Sequence, residues 1–159
     1  MVVQLGGRLA TRGDAPLGDR CPIDRTLQAV GNRTALLLVR EVLYGATRFE
    51  SLVKRVGVTD AVASQRLKEL VAAGVLAKQP YREPGQRTRH EYVLTPAGHE
   101  LAPVLLTLLE WGVRHRPDGR GRLGVTHAGC GAEVHVALRC AAGHDVPEEQ
   151  LLVTGDAAV

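Results

Sequence analysis

From Ile23 to Val113 apolar residues return every three or four positions, interrupted once by a stretch that alternates, and this pattern limits what the chain can fold into. Ile23, Leu27 and Val30 line one side of a short helix that Gly31 ends. Asn32 offers a side-chain oxygen to the free N–H groups of a second helix, whose Leu36, Leu37, Val39 and Leu43 run to a stop at Gly45. A third helix covers Arg48 to Val56, with Phe49, Leu52 and Val53 inward, and Gly57 breaks it. Thr59 caps a fourth helix, and Asp60 in its first turn complements the helix dipole. Ala63, Leu67, Leu70 and Gly74 form its packed stripe, while the opposite stripe of Ala61, Ser64, Gln65 and Lys68 is small or polar. Val75 to Tyr81 and Arg89 to Leu94 then read as two strands around the turn cluster Glu83, Pro84, Gly85 and Gln86. Thr95 and Pro96 open a last long helix, striped by Leu101, Val104, Leu105, Leu108 and Leu109, in which Pro103 predicts a kink.

The second to fourth of these helices, followed by a two-stranded hairpin, give the order of a winged helix-turn-helix. The predicted fold is therefore mainly α with a small β-hairpin wing, followed by a small C-terminal β-rich tail. Only five of the 159 residues are Phe, Trp or Tyr, so the core must be built from Leu, Val and Ala, which suits packed helices. Residues 1–20, with Arg8, Arg12, Arg20 and many glycines, read as a flexible arm. Residues 21–114 form the winged helix-turn-helix, residues 115–124 a linker rich in Arg, Gly and Pro, and residues 125–159 an extension with β-prone pieces at Val134 to Leu138 and Leu151 to Val153. The longest apolar stretches, Ala35 to Val39 and Pro103 to Leu109, fall short of the roughly 18 residues that span a bilayer. No membrane segment and a cytoplasmic location are the expectation.

The chain carries a formal charge of +3, but nine Lys or Arg against four acids between Arg48 and His90 give that window +5 and leave −2 elsewhere. A concentrated positive field attracts polyanions, of which nucleic-acid phosphates are the commonest. On the polar stripe of the fourth helix Gln65 can pair bidentately with adenine, Lys68 can reach guanine or a phosphate, and Ser64 can serve either. Thr59, Ala61 and Arg66 flank that stripe, and Arg82, Arg87 and Arg89 surround the hairpin tip, where they can track the sugar-phosphate wall or enter the minor groove. Double-stranded DNA is the expected partner.

At this point the sequence resembles the HxlR-type regulators, a winged-helix family related to the MarR group. The resemblance rests on Cys21-Pro22-Ile23, the run Leu36 to Gly45, Arg48-Phe49-Glu50-Ser51-Leu52, Ser64-Gln65-Arg66-Leu67-Lys68-Glu69-Leu70, Gly74-Val75-Leu76, Glu91-Tyr92-Val93-Leu94-Thr95 and Leu101 to Trp111. It implies a homodimer formed through the first and last helices, which places Ile23, Leu27, Leu101, Leu105, Leu108 and Trp111 at the interface. The surplus apolar surface of the last helix agrees with that. Two recognition helices would then meet half-sites one helical turn apart on a pseudo-palindrome. Where such proteins carry a Gly-Lys-Trp-like run, this chain has Asn32-Arg33-Thr34. The missing aromatic either opens a ligand pocket between the first, second and last helices or is compensated elsewhere.

Three cysteines are an odd count and argue against a disulfide framework. Cys21 stands at a helix start, where the dipole favours a thiolate, and some members of the family sense oxidants or electrophiles there, so it is the candidate redox residue. In the tail His127, Cys130, Cys140 and His144 make two pairs separated by nine residues around a hairpin, a candidate structural zinc site. No phosphate loop, nucleophile elbow or paired carboxylates point to an enzyme. Two functions follow: a repressor released by a small-molecule or redox effector, or a protein-binding adaptor whose zinc-supported tail docks a partner.

Overall fold

The computed structural model of the chain describes residues 3–18, 21–82, 85, 87–117 and 123–155. In chain order the elements are β1 (Gln4–Gly7), α1 (Pro22–Val30), α2 (Arg33–Leu43), α3 (Phe49–Val56), α4 (Asp60–Ala72), β2 (Leu76–Tyr81), β3 (Arg89–Leu94), α5 (Pro96–His99), α6 (Ala102–His115) and β4 (Leu152–Gly155). They divide into two units, Asp19–Leu123 and the two chain ends Met1–Gly18 with Gly124–Val159.

The larger unit is a winged helix-turn-helix. Its core is aliphatic: Leu38 and Val39 of α2, Leu52 of α3, Leu67 and Leu70 of α4 and Leu76 of β2 are almost fully removed from water. Each such side chain contributes about 2 kcal/mol by burial. Tyr92 of β3 joins them as a buried aromatic ring. The local chemistry of the ends follows the sequence. The Asn32 side chain accepts the Thr34 N–H at 2.9 Å, and the Thr59 hydroxyl accepts the Val62 N–H at 3.4 Å. Gly57, at φ +71°, takes the left-handed conformation that reverses the chain between α3 and α4.

One buried group has no counterpart in the sequence reading. Glu41 of α2 is 7% exposed, and its carboxylate accepts from Arg40 Nε at 3.0 Å and lies 3.7 Å from Arg55 Nη1. Because Arg55 sits on α3, this pair links α2 to α3 across the edge of the core.

Pro103 does not kink a long helix. The chain instead makes a one-turn α5 and a separate α6 that starts at Ala102, so Pro103 falls in the first turn, where its missing N–H would have had no partner. Thr95 fixes α5 by donating its hydroxyl to the Gly74 carbonyl at 2.5 Å and accepting the Gly98 N–H at 3.1 Å.

In the smaller unit the segment read as a flexible arm supplies β1, which pairs in parallel with β4 from Gln4 opposite Leu152 to Gly7 opposite Gly155. The pairing is drawn tight at Gly6, where a Cβ would meet Thr154 Cγ2 at 3.0 Å. Val134 to Leu138 is not a strand; the tail holds two small turns, closed by bridges between Thr126 and Glu133 and between Arg139 and Asp145. No described residue of this unit is buried. Residues 1, 2, 19 and 20 of the expected arm and 118–122 of the expected linker lie outside the described residues.

Candidate nucleic-acid interface

The buried stripe of α4, Ala63, Leu67 and Leu70, packs so completely that it fixes the rotation of the helix about its axis. That rotation turns Ala61, Ser64, Gln65 and Lys68 outward, and all four are exposed. Thr59 ends the turn before the helix and is exposed; its hydroxyl oxygen accepts the cap bond, and its O–H can still donate.

The exposed face is organised by Glu69, a residue the sequence reading passed over. Gln65 Nε2 donates to Glu69 Oε1 at 2.8 Å, and Arg66 pairs with the other carboxylate oxygen. The Gln65 amide, then the Arg66 guanidinium, hold the Glu69 carboxyl below the usual carboxylate range. The spacing of i+4 from Gln65 and i+3 from Arg66 is the signal that would have found it. In the free protein Gln65 and Arg66 are therefore held in place along the helix, leaving Lys68 exposed beside them.

The wing is an antiparallel ribbon from Leu76 opposite Leu94 to Tyr81 opposite Arg89. Its attachment is firmer than the sequence suggests. The Tyr92 N–H donates to the Thr47 carbonyl at 2.8 Å, Arg48 bridges to Glu91, and the Arg48 guanidinium stands 4.9 Å from the centre of the Tyr81 ring. Arg89, the first residue of β3, approaches Glu50 of α3 at 3.6 Å. The predicted tip arginines Arg82, Arg87 and Arg89 are all exposed, and Arg89 also faces Glu50 of α3. The turn residues Glu83, Pro84 and Gln86 lie outside the described residues. The wing is thus anchored to the start of α3 and to the two residues just before it.

The residues assigned to dimerisation separate into two groups. Leu101 and Leu105 are half-buried against the protomer's own core. Ile23 and Leu27 of α1 and Leu108 and Trp111 of α6 are exposed, Ile23 by 70%. Cys21 occupies the N-cap position of α1 and is half-buried; Arg20, its basic neighbour in the chain, lies outside the described residues. A cleft of about 350 Å³ is lined by Pro22, Arg25 and Thr26 of α1 together with Val75, Ala97 and Leu101. No α2 residue lines it, so it is not the pocket between the first, second and last helices that a lost aromatic would open.

The proposed zinc quartet is not assembled. His127 Nδ1 and Cys130 Sγ are 3.1 Å apart, and Cys140 and His144 share a turn through the Cys140 N–H and the His144 carbonyl. Among the described residues, however, no three His, Cys, Asp or Glu side chains gather where a metal ion could be held. The nine intervening residues do not form one hairpin that folds the pairs together; each pair closes its own turn. Four-ligand zinc does not fit this arrangement, and the adaptor reading loses its zinc support. No helix among the described residues is long and apolar enough to cross a membrane.

Comparison with known proteins agrees with this geometry. Residues 29–119 match the family model of the HxlR-like helix-turn-helix. An HTH-type transcriptional regulator of Mycobacterium tuberculosis is 34% identical over 119 residues, covering 74% of each chain. YybR of Bacillus subtilis, also an HTH-type transcriptional regulator, is 29% identical over 64% of this chain and 80% of its own. Among solved structures, the transcription factor PA1607 superimposes with a TM-score of 0.77 at 27% identity, over 88% of this chain and 98% of its own. The redox regulator HypR in its reduced form gives 0.55 at 28% identity, over 61% of this chain and 95% of its own. An outward polar stripe on α4, a basic wing locked beside it and these matches identify the chain as a transcriptional regulator, not an enzyme, of the HxlR-like helix-turn-helix family.

Proposed function

We propose that the protein is a homodimeric repressor that reads a pseudo-palindromic operator in the cytoplasm. The observation that carries this reading is the exposed stripe Ser64, Gln65 and Lys68 on a helix whose rotation is fixed by a fully buried opposite face. Ser64 and Gln65 meet base edges, with Gln65 exchanging its bond to Glu69 for an adenine, and Lys68 meets guanine or a phosphate. Arg66, Arg82 and Arg87 contact the backbone and set the register.

Dimerisation through α1 and α6 is supported by the exposed Ile23, Leu27, Val104, Leu108 and Trp111, an apolar set better covered by a twofold mate than by water. Effector control is supported by the similarity to HypR, which is described as a redox regulator in reduced and oxidised forms. Cys21 begins α1, so its modification would shift a dimer helix and with it the separation of the two α4 helices.

Selection of bound duplexes from a random pool, with and without reducing agent, tests the reading. Enrichment of an inverted repeat with half-sites one helical turn apart, altered by oxidant in the wild type but not in Cys21→Ser, is the expected result. Recovery of the unselected pool would contradict it.

A further inference from the structure

Between α1 and the segment that follows α4, the winged-helix unit holds a cleft of about 350 Å³, at the lower end of the range for small-molecule sites. Its floor is aliphatic: Val30 and Val75 are buried, and Leu101 is half-buried beside them. Thr26 adds no free donor, because its hydroxyl donates to the Pro22 carbonyl at 2.9 Å. Among the lining residues Arg25 alone is charged. Its guanidinium has no hydrogen-bond or ion-pair partner among the described residues. The acid beside it in the chain, Asp24, is held instead by Gln28 Nε2 at 2.8 Å.

An apolar trough with one unpaired positive charge at its edge suits one negative charge on an apolar body. The side of α1 that lines it is not the side assigned to the dimer. Pro22, Arg25, Thr26 and Ala29 recur at helical spacings of three and four, while Ile23 and Leu27 stand on the neighbouring side. A mate seated on Ile23 and Leu27 therefore need not fill the cleft.

We propose that this cleft binds a small aliphatic monocarboxylate, its chain laid over Val30, Val75 and Leu101 and its carboxylate paired with Arg25. The lining disfavours other classes on the same grounds. A sugar would bury hydroxyls against side chains that offer no partners, and a dianion would bring a second charge with no cation to meet it. Val75 also gives the ligand a route to α4. Its N–H donates to the Leu70 carbonyl at 3.0 Å in the last turn of that helix, and its carbonyl accepts the Thr95 N–H at 3.1 Å just before α5. The packing there is close, since a Cβ on Gly98 would stand 2.2 Å from the Val75 carbonyl oxygen. A ligand wedged between α1 and Val75 thus bears on the end of α4. That consequence rests on the operator reading above; the binding itself does not.

Titration of the isotope-labelled full chain with sodium octanoate, and separately with octanol as the uncharged probe, tests the site through amide chemical shifts. Octanoate should move the amides of Arg25, Ala29, Val75 and Ala97 saturably, and octanol the same set about tenfold more weakly. Arg25→Gln, at an exposed position of α1, should bring octanoate to the level of octanol and leave octanol as it was. Ala29→Phe, which fills the cleft from an exposed position, should remove both. Shifts that do not saturate or that lie elsewhere, or an octanoate affinity indifferent to Arg25→Gln, would overturn the site. The regulatory consequence is read separately: octanoate should change operator affinity in the wild type but not in Arg25→Gln. Unchanged operator affinity with the cleft saturated would overturn the coupling through Val75. No operator binding at all, with the cleft still saturable, would contradict the operator reading alone.

Discussion

In the winged-helix unit the side chains from Leu38 to Leu76 that face inward are removed from water, whereas in the unit made from the two chain ends no described residue is buried. The first is held by aliphatic burial that also dictates which face of α4 looks out. The second is held by backbone bonds: a four-residue parallel ladder and two turns closed around His127 and Cys140. A small unit without a core draws little from the hydrophobic effect. HypR matches 61% of this chain and PA1607 88% of it.

The largest difference expected between the units lies in their response to truncation. Leu52→Ala or Leu67→Ala should destabilise the winged-helix unit by about 2–5 kcal/mol. Leu138→Ala or Leu152→Ala, at exposed positions of the other unit, should change stability by no more than about 0.5 kcal/mol. Urea unfolding followed by circular dichroism measures both. Comparable losses in the two sets would abolish the contrast.

Next in size is the buried carboxylate. Glu41→Ala should cost about 1–3 kcal/mol by leaving Arg40 and Arg55 without their shared acceptor at the core edge. If the link between α2 and α3 is what matters, the loss in the double variant with Arg55→Ala will be smaller than the sum of the single losses in the same denaturation assay. Strict additivity would assign the cost of Glu41 to Arg40 and local packing alone.

The smallest effect is the pH response of the α4 face. The Glu69 carboxyl is depressed in the folded state, so its stabilising contribution is present above the unfolded carboxylate range and is lost as pH falls through the folded value. Because the site is open to solvent, salt will weaken that contribution. In a carboxyl NMR titration the Glu69 midpoint should rise in Gln65→Ala, and an unchanged midpoint would show that Gln65 does not hold it.

Most of the winged-helix unit was legible because its signals are local. Asn32 and Thr59 cap the helices they precede, Gly57 ends α3, and the spacing of Ala63, Leu67 and Leu70 marks the buried face of α4. What escaped depends on distance along the chain. Gln4–Gly7 has no alternation and two glycines, and it becomes a strand only through a partner near residue 152. Glu41 reads as an ordinary helix-surface acid until α3 brings Arg55 to it. Pro103 was misplaced because a helix break two residues earlier moves it from an interior position to a first turn. The zinc quartet failed for a related reason: ligand spacing records how each pair turns, not whether the two turns meet.

Binding of the selected operator duplex across a salt series, for the wild type and for Lys68→Ala, bears most directly on the outward face of α4 as the DNA-reading surface. Affinity should fall steeply with salt, and Lys68→Ala should bind more weakly with a log–log slope shallower by about one. Identical curves for the two proteins, or no binding by either at low salt, would contradict it.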